Sequence, residues 1–174
     1  LLNDVFERTW KKRAGERPEA DYWREVVPAV RRAAPGFVFM AEAYWDLEWE
    51  LQQQGFDFCY DKRLYDRLEH DAPAAIRSHL KAGLDYQQRL VRFIENHDEP
   101  RTASVFGRGA DRAAAVVALT LPGAALVHEG QLDGRRVRLP VFLARRPDEE
   151  PDGELFAFYR GLLARLRENG CRRG

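Results

Sequence analysis

Four short apolar runs, each followed by a helix-patterned stretch and none joined to the next by a hairpin turn, constrain this chain most. The runs are Phe37–Glu42, Phe56–Tyr60, Leu90–Glu95 and Ala124–His128. Each is too short for a stable helix and too uniformly apolar for a sheet with one wet face. Such runs predict strands buried on both sides, as in a parallel sheet covered by helices. Parallel neighbours need a long crossover, usually a helix. The stretches between the runs supply it.

Leu1–Arg13 sets Leu2, Val5, Phe6, Thr9 and Trp10 on one helical face, and Gly15–Pro18 breaks it. Starting in mid-pattern without a cap, it suggests a truncated chain. A second helix is predicted over Glu19–Ala34, with Tyr22, Trp23, Val26, Val27 and Val30 as its stripe and Pro35-Gly36 as its stop. Asp46–Gln54 reads as a short helix, Asp61–Gln88 as irregular and helical, and Arg108–Leu121 as an Ala/Val-rich helix halted by Pro122-Gly123. Phe156–Leu166 closes the pattern, with Phe156, Tyr159, Leu162, Leu163 and Leu166 on one side, after a solvated loop at Arg145–Gly153. Strand and helix thus alternate four times, an α/β pattern. Four β/α units with parallel strands make half of a TIM (β/α)8 barrel, which when closed takes about 250 residues.

Composition removes several functions. Lys plus Arg number 28 and Asp plus Glu 28, a net charge of zero, so no field draws the chain to nucleic acid or an anionic membrane. No run approaches the roughly 18 apolar residues of a membrane span, and the first residues lack a signal peptide's layout. A cytoplasmic location is the matching expectation, with the native N-terminus not in this chain. Cys59 and Cys171 are too few for a disulfide framework or a thiolate zinc site. His128-Glu129 opens like a zinc-protease motif, but Leu132 stands where the second histidine belongs. There is no nucleophile elbow and no Walker loop, Gly107-Arg108-Gly109 is a weak anion signal, and His70 and His79 read as solvated. No metal and no cofactor is expected.

In a parallel barrel the chemistry lies at the carboxyl ends of the strands. Two of the runs end there in acids: Glu42 beside Tyr44 and Trp45, and His97-Asp98 beyond the third run. Taken singly, Glu42 is equally a helix cap or a loop charge, and Asn96-His97-Asp98 an Asx-turn. At equivalent places on one barrel, they fit the paired acids of glycoside hydrolysis.

These residues carry a family resemblance that spans nearly the whole chain. Phe93-Ile94-Glu95-Asn96-His97-Asp98-Glu99-Pro100-Arg101 resembles the motif ending the seventh barrel strand of the α-amylase superfamily of glycoside hydrolases. Ala41-Glu42-Ala43-Tyr44-Trp45 resembles the motif ending its fifth strand. Gly123-Ala124-Ala125-Leu126-Val127-His128-Glu129-Gly130-Gln131 resembles the eighth-strand segment, with His128 in place of the usual aromatic and Leu132 where many members have an acid. The resemblance implies that residues 1–174 are a fragment of a single catalytic barrel domain, roughly from barrel helix 4 to helix 8.

It also implies roles. Glu42 would be the general acid/base, which requires a carboxyl still protonated near neutral pH, a state that partial burial beside Tyr44 and Trp45 favours. Asp98 would stabilise the oxocarbenium-like transition state, and His97 would bind the same sugar. Tyr44 and Trp45 would stack on a neighbouring ring, and Arg101 would order the loop or pair with a nearby carboxylate rather than touch substrate. The nucleophilic aspartate of this retaining family ends the fourth strand, so it would lie upstream of Leu1. The expected partner is an α-linked oligosaccharide or glucoside. Transglycosylation by the same residues and a non-catalytic scaffold are the alternatives, the scaffold having no need of Glu42 or His97-Asp98. A half-barrel also leaves sheet edges and an apolar inner face open, so the fragment is expected to self-associate and to be inactive alone.

Overall fold

The computed structural model describes residues 22–44, 46–70, 72–107, 109–140, 142 and 145–169. The helix expected over Leu1–Arg13, and the residues Trp45 and Cys171, lie outside the described residues. In chain order the elements are α1 (Tyr22–Ala33), β1 (Met40–Ala41), α2 (Glu48–Gln53), β2 (Phe58–Tyr60), α3 (Lys62–His70), α4 (Pro73–His79), α5 (Leu84–Gln87), β3 (Leu90–Arg92), α6 (Thr102–Val105), α7 (Ala110–Thr120), β4 (Ala124–Ala125) and α8 (Gly153–Asn169). The strands form one parallel sheet in the order β1-β2-β3-β4. Each strand neighbours its successor across a helical connection, the arrangement expected of part of a (β/α)8 barrel. No helix among the described residues is long and apolar enough to cross a membrane.

Register divides the side chains between two faces. Ala41 pairs with Cys59 and Cys59 with Leu90, and these three pack with Phe56 against Trp23, Leu51 and Tyr86 of the helical layer. A second core gathers Tyr65, Phe93, Ile94 and Phe106 with Ala114, Ala115, Ala118 and Leu119 of α7 and with Leu155 and Tyr159 of α8. The small residues of α7 let that helix approach closely. At the turn into β4, Gly123 has φ +102°, and a Cβ there would lie 2.3 Å from the Leu90 carbonyl oxygen. Only glycine fits that crossing.

The first apolar run departs from expectation. Its ladder is confined to Met40–Ala41, and Phe37, Val38 and Met40 are 52%, 57% and 49% exposed rather than buried on both sides. The reason is position: β1 is an edge strand among the described residues, and Met40 points to the face that no helix covers. In α8 the buried side is set by Leu155 and Tyr159, one turn apart, while Phe156 is left exposed.

His79 is the second correction, because it is buried rather than solvated. Its Nε2 lies 2.9 Å from Asp61 Oδ2. Asp61 also caps α3, accepting from the Leu64 amide at 3.0 Å, and pairs with Arg92. Burial, then the charges of Arg67 and Arg63, pull His79 down from 6.5 to about 4. With Asp61 already neutralised by Arg92, the imidazole stays neutral. The unfolded chain therefore binds this proton more tightly. The stability contributed by neutral His79 is complete above pH 6.5 and is lost as the pH falls towards about 4. Urea unfolding at about pH 7.5 and about pH 5 is expected to show wild type losing about 2 kcal/mol more than His79→Gln over that interval. Equal losses would contradict a neutral buried His79.

Candidate functional site

Glu42 follows β1 directly, and its carboxylate is not used as a helix cap. The cap position of α2 is Leu47, which makes no side-chain bond. Instead Glu42 Oε1 accepts a hydrogen bond from the Tyr44 hydroxyl at 2.9 Å. Beyond β3, Asn96 makes the Asx-turn that its sequence suggests: its Oδ1 accepts from the amides of Asp98 and Glu99, both at 2.9 Å. That buried turn presents the next two side chains outward. His97 Nε2 lies 3.3 Å from Asp98 Oδ2 and 3.7 Å from Glu42 Oε1. One atom from each of Glu42, His97 and Asp98 falls within 4.8 Å of the others.

The three side chains are 41%, 53% and 43% exposed, so each is partly open to solvent. Tyr44 is the better shielded group. Burial first, then its hydrogen bond and the charges of Glu42, Asp98 and Glu99, hold its phenol well above the usual range. It therefore remains a donor throughout the neutral range. The stacking role expected of Trp45 falls outside the described residues.

A buried ion pair beneath the loop carries the geometry. Arg101 and Glu95 are 2% and 1% exposed, with Nη1 donating to Oε1 at 2.7 Å. The same guanidinium donates to the Glu129 carbonyl at 2.6 Å and to the Val137 carbonyl at 3.4 Å, and it lies 2.9 Å from His128 Nδ1. A guanidinium can only donate, so Nδ1 of His128 is the unprotonated nitrogen. Burial, then the charge of Arg101, lowers His128 accordingly. The other Glu95 oxygen accepts from the Thr102 amide at 2.7 Å, which fixes the start of α6. Lys62 of α3 holds Glu99 at 3.1 Å from the opposite side. Arg101 both orders the loop and pairs with a carboxylate, as expected of it, and the carboxylate is Glu95, an acid at a strand end six residues earlier. The zinc-protease reading of His128-Glu129 finds no support, since His128 is tied to Arg101. The Gly109 amide, half of the weak anion signal, donates to Asp111.

An α-amylase, MalA, of Haloarcula japonica is 32% identical over 125 residues, covering 67% of this chain. The crystal structure of a noncanonic maltogenic α-amylase, AmyB, from Thermotoga neapolitana matches 94% of the chain with a TM-score of 0.65 at 24% identity. The chain belongs to the α-amylase superfamily. A debranching enzyme of Nostoc punctiforme shares the α-amylase-type fold over 88% of the chain, with a TM-score of 0.69 at 17% identity. No family model matches the chain. The chain spans 19% of the length of MalA, and 42% and 38% of the two solved structures. Its four β/α units thus correspond to part of an α-amylase barrel.

The buried pair makes a direct prediction. Arg101→Ala leaves Glu95 charged and unpaired in the interior, so it is expected to cost about 3–5 kcal/mol in urea unfolding. A loss below about 1 kcal/mol would show that the pair does not hold this α-amylase loop.

Proposed function

We propose that the chain is the acid-bearing half of a retaining glycosidase barrel acting on α-linked glucans. The observation that carries this reading is the meeting of Glu42, His97 and Asp98 at the carboxyl end of a parallel sheet. The names of the relatives, an α-amylase, a maltogenic α-amylase and a debranching enzyme, support the substrate class.

In the proposed reaction Glu42 begins protonated. It gives its proton to the glycosidic oxygen as the bond from that oxygen to the anomeric carbon breaks, and the nucleophile attacks from the opposite face. Glu42, now a carboxylate, then takes a proton from the water that hydrolyses the glycosyl-enzyme. Tyr44 occupies one oxygen of Glu42 with a neutral donor, which fixes the carboxyl plane. Asp98 stays ionised, accepts from hydroxyls of the distorted ring and balances the developing positive charge. His97, set between the two acids, binds the same ring.

Double displacement needs a second carboxylate about 5 to 5.5 Å from the acid. The resemblance puts it upstream of Leu1, in a segment completing the barrel. In the completed barrel, Glu42→Gln is expected to lower kcat on a natural α-glucan by about 10²- to 10⁴-fold while leaving sugar affinity nearly unchanged. Unaltered turnover on a poor leaving group would contradict the assignment.

The reading extends to the chain alone. The exposed strip Phe37, Val38 and Met40 borders the unpaired edge of β1, an arrangement that drives association. Sizing of the purified chain is expected to give a self-associated species, with no turnover of an activated α-glucoside because two copies duplicate Glu42 without supplying the nucleophile. A compact monomer would contradict the open-edge argument, and turnover above background the missing-nucleophile argument.

A further inference from the structure

Tyr60 ends β2, the strand between the one leading to Glu42 and the one leading to His97-Asp98. Pleat and register fix its direction. Met40 pairs with Phe58 and Ala41 with Cys59, so Met40, Phe58 and Tyr60 share one face while Ala41 and Cys59 face the helices. Glu42, two residues beyond Met40, continues the face of Tyr60. The ring is steadied from behind by Phe93, with centroids 5.2 Å apart. The phenol is raised by burial first and then by the charges of Glu42 and Asp98, so it stays protonated throughout the neutral range. The two tyrosines of the site differ in one respect. The Tyr44 hydroxyl is committed to Glu42, whereas that of Tyr60 makes no hydrogen bond among the described residues.

We propose that Tyr60 is a substrate-positioning residue, its hydroxyl donating to a hydroxyl oxygen of the sugar ring that Glu42 and Asp98 engage. This rests on the glycosidase reading and adds to it a floor residue that neither acid motif contains. Phenol and sugar hydroxyl suit each other because both are neutral. The interaction orients the ring without altering the charge balance that Asp98 must supply.

The test uses the completed barrel with para-nitrophenyl α-glucoside and its monodeoxy analogues, in wild type and Tyr60→Phe. On the parent glucoside, Tyr60→Phe is expected to lower kcat/KM by about 5- to 10-fold, the range of one neutral hydrogen bond. On one monodeoxy analogue, the one lacking the bonded hydroxyl, the same substitution is expected to have no further effect. The thermal midpoint should not move, because the lost hydroxyl has no partner within the fold. An equal loss on every analogue, or no loss on the parent glucoside, would overturn the assignment while leaving the glycosidase reading intact. Failure of wild type to cleave any α-glucoside would overturn that reading and this inference with it.

Discussion

The Arg101 guanidinium is the contact on which the rest of the site depends. It is buried where water cannot compete, and it reaches one carboxylate, two backbone carbonyls and an imidazole from separate segments of the chain. Those segments are the loop beyond β3, the turn after β4 and the loop at Val137. A point charge would meet one of them, and the planar fork meets all. With Glu95 neutralised and its second oxygen capping α6, the intervening turn has little freedom left. Asn96 then closes that turn from within, and His97 and Asp98 emerge where Glu42 emerges from β1.

A second buried network does for the helical layer what Arg101 does for the loops. Asp61 caps α3 while pairing with Arg92 and holding His79, so β2, β3, α3 and α4 are joined at one carboxylate. These polar junctions sit just beyond the strand ends, at the same end of the sheet as the acids. The apolar cores lie between sheet and helices. Rigidity in the polar junctions accompanies exposure of Glu42, His97 and Asp98, a combination that suits the proposed site, which must be held firmly yet remain open. The uncovered face of β1 follows the same division, because the strip that carries Met40 is the strip that leads to Glu42.

Much of this was legible in the sequence, and what was not has physical causes. Strand order and direction follow from short apolar runs separated by helices, and the structure bears them out. The motifs containing Glu42 and His97-Asp98 predicted their placement at strand ends. Burial was read less well. Phe37, Val38 and Met40 look like a doubly covered strand because composition records apolarity and not which neighbours are present. His79 looks solvated among polar residues until Asp61 and Arg92 are brought to it from distant positions. Glu95 was visible as a letter in a motif, but its pairing with Arg101 required the loop to fold back. Tyr60 carries no motif at all, and only the pleat of β2 turns it towards the acids.

Glu42 and Asp98 are proposed to act on one sugar ring. The most direct measurement is a crystal structure of the completed barrel carrying Glu42→Gln, grown with a linear α-glucan. The glycosidic oxygen is expected within about 3 Å of the residue-42 carboxamide, with Asp98 hydrogen-bonded to hydroxyls of the ring on the non-leaving side. A glucan bound away from both residues, or held at Asp98 with its glycosidic oxygen remote from residue 42, would contradict it.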